Sequence, residues 1–313
     1  MSSTELALRV LGTVILAVGG AVALDFMTMA KGLQPPGFRI PWRRLLGGLA
    51  VAAILGIGVF APIGAIGLGL QPDLANIRAP QLFQLHLLMI ATMAVWFLLG
   101  FAVRPAPQPA APAAVPDEPG LLAAPPPAPP APPASPGRQF LAQFGFLSPN
   151  VPREIGLGLA LGLGGWVVVL MVLMAIGLTL YALGGEGAMP QQAPAVVPFI
   201  AGLPIWLRLL ISLSAGVVEE TFFRGFLQPR VGIPLSTAFF ALAHLSYGAP
   251  FMLIGITLLS LIYAFIVQWR QSIWAAIAAH TLFDAIQLLI VVPVALRMVQ
   301  GQEKSAAFLL GLG

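Results

Sequence analysis

The sequence predicts an all-α, polytopic integral membrane protein with about eight transmembrane helices. Three observations carry this. Only 8% of the 313 residues are charged while 58% are hydrophobic, where a soluble domain carries about a quarter charged residues. Mean hydropathy is +0.94. Apolar stretches near the ~20 residues that a helical span needs recur at 8–27, 45–70, 81–103, 155–183, 198–226, 233–248, 251–268 and 273–295. The stretch 233–248 is short for a span, so it is expected to tilt or stop partway across. The apolar run from Val10 has no A-x-A cleavage site after it and reads as a retained span.

Cysteine is absent. That excludes disulfides, thiolate metal ligands and a Cys nucleophile. The basic balance reflects few charges of either sign, with no clustered patch, so no nucleic-acid partner is expected. The expected surroundings are a lipid bilayer, in a bacterial cytoplasmic membrane.

Lys and Arg placement orients the spans. One set of loops holds Lys31, Arg39, Arg43, Arg44, Arg104, Arg138, Arg153, Arg230 and Arg270; the other holds Arg9, Arg78, Arg297 and Lys304. Nine against four places the first set in the cytoplasm and both termini outside.

Three parts follow along the chain: a membrane module of about three helices at 1–103, a linker at 104–138 and a second membrane module at 139–313. The linker holds fourteen of the chain's thirty prolines and has no hydrophobic periodicity. Such a segment builds no core and is expected as extended, disordered coil. A docking site for a Pro-binding partner is the alternative to a plain spacer. Just after it, Phe140, Leu141, Phe144, Phe146 and Leu147 are expected in the membrane interface.

Ionisable groups inside a membrane are costly, so each needs a reason. Glu219, Glu220 and Asp284 lie well inside predicted spans, and His244 and His280 share the same half of the chain. Glu219 lies eleven residues before Arg230, His244 eleven after Ile233, and His280 and Asp284 seven and eleven after Ile273. At ~1.5 Å per residue these groups sit roughly 10–17 Å from one membrane face. Three helices thus present polar groups at one depth.

Glu220 and Arg224 are spaced i,i+4 and should pair, supporting the site or gripping a peptide's backbone or terminus. His280 and Asp284 share the same spacing, so Asp284 is expected to orient His280. Glu219 has no local partner, which suits a general base for water. His86 sits near a span end with no carboxylate nearby and reads as an interfacial residue; Arg208 is expected to snorkel or pair locally. Two carboxylates and two imidazoles without a Ser or Cys nucleophile fit hydrolysis by activated water. The G-x-S-G, H-E-x-x-H and G-x-G-D signatures of other intramembrane proteases are missing.

Three segments form an ordered set: E-E-x-x-x-R at Glu219–Arg224, F-x-x-x-H at Phe240–His244 and H-x-x-x-[ND] at His280–Asp284. Together they resemble the CPBP family, the CAAX prenyl endopeptidases of the second type and bacteriocin-processing or immunity proteins also called Abi, over about 198–295. The resemblance implies an intramembrane endopeptidase acting on a peptide or protein substrate near the cytoplasmic face. It implies that Glu219 and His244 hold the hydrolytic water, that His280 and Asp284 stabilise the oxyanion, and that Glu220 and Arg224 support the site and substrate. Asp284 stands where the prenyl-protease pattern favours Asn, and an ionised Asp donates no hydrogen bond. Family members are often labelled metalloproteases. The water-activating glutamate reading requires no cofactor, and zinc on Glu219, His244 and His280 is the alternative. Three rivals stay open at this point: an inactive immunity or scaffold protein of the same fold, a proton-coupled carrier, and a lipid-modifying enzyme.

Overall fold

A computed structural model describes residues 2–66, 79–102, 134–188, 196–245 and 250–298. Its elements are helices α1 (Ser3–Ala30), α2 (Pro41–Leu55), α3 (Ala61–Ile66), α4 (Gln84–Phe97), α5 (Pro136–Gln143), α6 (Val151–Gly184), α7 (Val196–Ala201), α8 (Ile205–Ser214), α9 (Gln228–Ala243), α10 (Pro250–Arg270) and α11 (Trp274–Ile286). Among the described residues there is no strand. The protein is an all-α polytopic membrane protein: among the described residues six helices are long and apolar enough to cross a membrane, namely Ser3–Ala30, Pro41–Gly64, Pro80–Ala102, Val151–Gly184, Met252–Arg270 and Trp274–Met298. Large apolar side chains such as Phe26, Leu178 and Trp269 are exposed along them, as a lipid-facing surface requires.

The remaining two expected spans differ from the others for physical reasons. The stretch 198–226 breaks at Gly202–Pro204, between α7 and α8. Pro204 is extended, with ψ 147°, and serves as the cap of α8, and a proline disfavours helix in the residue before it. From Ile205 the helix runs on through two π-helical stretches, Ala215–Glu219 and Thr221–Leu227, into α9. Gly232, with φ +81°, then turns the chain, a conformation for which glycine is suited. The helix after that turn ends at Ala243, too short to cross.

One core joins the two expected membrane modules. Leu24 of α1, Leu55 of α2, Met89 and Trp96 of α4, Phe144 after α5, Phe222 and Phe226 of the π stretch, and Phe240 of α9 are buried together. The Phe144 ring stacks on Phe140 at 4.2 Å and on Phe226 at 6.0 Å. Phe144 is therefore core, not the interfacial side chain expected of it, because the aromatic ladder from α4 to the π stretch offers a closer apolar partner than lipid headgroups. Helix α5 starts at Pro136, three residues inside the expected linker range, where the Ser135 side chain accepts from the Arg138 amide. The rest of that range, from 104 to 133, lies outside the described residues.

Helices α6, α10 and α11 pack around a second core of Val169, Leu259, Tyr263, Ile266, Ala275, Ala276 and Ala279. In lipid, helices associate through close van der Waals packing of small residues. A Cβ on Gly162 would stand 2.7 Å from Ala279 Cα, while one on Gly164 would meet nothing within 4 Å. These two glycines of one helix give opposite expectations. Gly162→Ala should lower the thermal unfolding temperature in detergent, by a cost of about 1–3 kcal/mol. Gly164→Ala should leave it unchanged or raise it, because Ala is the better helix former. Equal behaviour of the two variants would refute the packing described.

One end of the bundle is tied by polar contacts. Lys31 Nζ donates to the Pro229 carbonyl at 3.1 Å, and Gln143 Nε2 to the Leu33 carbonyl at 2.6 Å. Arg270 grips Glu154 with two bonds of 3.0 and 2.6 Å, and the Ile273 amide donates to Gly145 at 3.0 Å. Residues that the Lys and Arg pattern assigns to one side are thus gathered at one end. Arg230, expected in a loop, is fully buried with its guanidinium over the rings of Phe226 and Trp96 at 4.2 and 5.2 Å.

Candidate active site

The two π-helical stretches bracket Glu220. A π turn widens the helix and occurs frequently at functional sites. Gly216 lets the first stretch lie against α11, since a Cβ there would stand 2.9 Å from the Ile277 carbonyl oxygen. Glu219 and Glu220 are both buried. Consecutive residues point in different directions around the helix, so the two carboxylates meet different partners.

Glu220 faces inward. Its Oε2 accepts from Arg224 Nε at 3.2 Å, the i,i+4 pair expected, and both side chains have 0% exposure. Arg224 Nη2 donates to Ser260 Oγ of α10 at 3.0 Å, and the guanidinium lies 5.0 Å from the centre of the Phe240 ring. Glu220 Oε1 lies 2.8 Å from His280 Nδ1. Glu220 therefore fixes the imidazole. Asp284, expected to orient His280, lies 3.6 Å from its Nε2, beyond direct hydrogen-bond reach. The reason is that i,i+4 spacing shares a helix face without bringing ring and carboxylate together, whereas Glu220 approaches from a facing helix. Arg224 is itself buried, held on the far side of Glu220 from His280.

Phe240 and Tyr263 complete this side. The Tyr263 ring stacks on His280 at 5.0 Å, and Phe240 meets it edge-on at 6.0 Å. Phe240 also stacks on His244 at 4.6 Å. One aromatic ring thus touches Arg224, His244 and His280. That gives a physical reason for an aromatic residue four positions before His244.

Glu219 faces the other way, and it does have partners. His86 Nε2 of α4 lies 3.1 Å from Glu219 Oε1. His244 Nε2 lies 3.7 Å from Glu219 Oε2. His244 Nδ1 lies 2.8 Å from the Phe240 carbonyl oxygen, which can only accept, so Nδ1 carries the proton. In the neutral ring Nε2 then holds a lone pair aimed toward Glu219.

The structure gathers all six expected residues: Glu220, Arg224 and His280 in direct contact, His244 3.7 Å from Glu219 and Asp284 3.6 Å from His280. His86, Ser260 and Tyr263 were not expected there. Arg208, expected to snorkel or pair locally, donates instead to the Leu288 carbonyl on the last helix at 3.0 Å. Among the described residues no group of three or more His, Asp or Glu is placed to hold a metal ion.

An uncharacterised protein of Bacillus subtilis (strain 168), YpbD, is 31% identical over 83 residues, 26% of this chain. The match spans 42% of that relative's length. No solved structure matches the chain. The family described as type II CAAX prenyl endopeptidase, Rce1-like, matches residues 201–286, the segment that carries all three motifs and every site residue contributed by the second module.

Proposed function

We propose that this protein is an intramembrane endopeptidase that hydrolyses a peptide bond with a water activated by Glu219 and His244. The observation that carries the reading is the 3.7 Å between Glu219 Oε2 and His244 Nε2, two acceptors when the ring is neutral. Two acceptors do not bond each other. A single water donating one hydrogen to each bridges that span and presents its own lone pair outward. Glu219 then takes the proton as the water attacks the scissile carbonyl, and delivers it to the leaving amine.

His280 is the electrophilic partner. With Nδ1–H donated to Glu220, a protonated ring donates through Nε2 to the developing oxyanion. Arg224, Ser260, Phe240 and Tyr263 hold the ring in place, which is the preorganisation that such stabilisation needs. Asp284 sits beside Nε2 at 3.6 Å, close enough to share the oxyanion once protonated. The site faces the cytoplasm in this reading, supported by the Lys and Arg bias and by the gathering of Lys31, Arg230 and Arg270 at one end. The substrate is a membrane-proximal peptide. The family match makes a prenylated C-terminal CAAX peptide one candidate.

The test compares host membranes holding wild type with membranes holding Glu219→Gln, reading new protein termini by mass spectrometry. Termini present only with wild type support the reading, and identical termini overturn it. Asp284→Asn refines it. Asn is nearly isosteric and donates at any pH, so this variant should keep substantial turnover and extend it to higher pH. A loss as deep as that of Glu219→Gln would show that the carboxyl group itself is needed.

A further inference from the structure

We infer that His86, from the N-terminal module, is a positioning residue of the active site: its Nε2–H fixes one oxygen of Glu219 so that only the other can take the water's proton. This rests on the endopeptidase reading. It lies outside the segment that the family match covers, 201–286.

A carboxylate has two equivalent oxygens and rotates about a soft terminal torsion. As a general base it must present one oxygen to the water in a fixed direction. His86 Nε2 stands 3.1 Å from Glu219 Oε1 while His244 Nε2 stands 3.7 Å from Oε2. The first distance is a direct hydrogen bond, and the second is longer than one, the pair of atoms that the proposed water joins. A carboxylate oxygen accepts, so His86 Nε2 is the donor. The two imidazoles therefore play opposite parts on one carboxylate: His86 donates to it, and His244 shares the water with it.

The contact is built into the fold. Helix α4 packs against the π stretch Ala215–Glu219. One turn after His86, on the same face, Met89 is buried in the shared core, and Trp96 lies two turns further on. Both partners are shielded, with side-chain exposures of 12% and 11%. The His86 Nδ1 atom is buried and makes no hydrogen bond, so the ring has one engaged polar atom, and that atom is on Glu219. A histidine kept merely for an interfacial location would turn a nitrogen to water. In a chain with three histidines, all three rings then touch Glu219 or Glu220. The N-terminal module thereby supplies a part of the site that the second module lacks.

The experiment uses the full-length protein in detergent or liposomes. The probes are a quenched-fluorescent peptide built on a sequence cut in the membrane comparison above, and a farnesylated CAAX peptide. His86→Leu should lower kcat by about 10–100-fold with KM changed less than about twofold, because a misdirected general base affects the chemical step and not ground-state binding. His86→Gln carries an amide nitrogen at a similar reach and should recover at least about a third of that loss on a logarithmic scale. In a Glu219→Gln background, His86→Leu should add no further loss, since both act through one carboxylate. An inactive Glu219→Gln beside a His86→Leu variant within about threefold of wild type would overturn the role of His86 and leave the endopeptidase standing. So would equal losses in the Leu and Gln variants accompanied by a lowered unfolding temperature, which would mark a packing role. If wild type and Glu219→Gln produce the same termini, the endopeptidase reading falls and takes this inference with it.

Discussion

Glu219→Gln reduces peptide cleavage by about 10³–10⁴-fold, the range for loss of a positioned general base, with membrane insertion and unfolding temperature close to wild type. Gln fills the same volume and still accepts from the His86 Nε2–H, so the 3.1 Å contact survives. The amide nitrogen that then faces His244 only donates and cannot take a proton from water. His244→Ala gives a loss of similar depth by removing the second acceptor across the 3.7 Å space. The double variant falls little further than either single one, because groups that act as a unit are not additive. Two additive losses would mean that Glu219 and His244 serve separate steps. Near-wild-type turnover in both single variants would remove the water-activation site altogether.

The contrast between Glu219 and His86 shows what was legible in the sequence. Glu219, Glu220, His244, His280 and Asp284 stand out because an apolar chain holds few ionisable groups and each is costly in lipid. Counting residues from the span ends puts them at one depth, and the contacts agree. His86 is also an ionisable group in an apolar stretch, but its carboxylate is 133 residues away. A search for partners at i,i+3 and i,i+4 cannot find it. The same local rule found the 3.6 Å pair of His280 and Asp284 and missed the closer Glu220, since spacing along one helix says nothing of what a facing helix brings closer. Its rarity was the available signal: with three histidines in 313 residues, the third deserved the same question as the other two. Ser260 and Tyr263 gave no such signal, because hydroxyl side chains are common in membrane helices. The span pattern was clear wherever apolar runs were unbroken. It failed at 198–226, where Pro204 splits the run and two π-helical stretches follow. Those stretches depend on tertiary contacts, such as the approach of Gly216 to α11, and have no hydrophobic period of their own.

Arg224→Leu destabilises the protein by about 3–5 kcal/mol, the cost of leaving one partner of a buried ion pair uncompensated. Arg224 and Glu220 are both fully shielded, with a contact of 3.2 Å. Removing the guanidinium leaves Glu220 with His280 alone at 2.8 Å and Ser260 without its donor. The double variant Glu220→Leu/Arg224→Leu should recover much of that stability, since apolar side chains replace a buried pair at little net cost. It should not recover cleavage. Without the Glu220 carboxylate, His280 Nδ1 has lost its acceptor, and the ring is free to turn toward Asp284, now 3.6 Å away. The oxyanion donor is then misplaced, at a cost of about 10²–10³-fold in kcat. Measuring unfolding temperature and turnover on the same preparations separates the two effects. A stable double variant with full activity would show that the pair serves folding alone. A double variant as unstable as Arg224→Leu would show that the instability comes from lost packing against Phe240 and Ser260, not from the orphaned carboxylate.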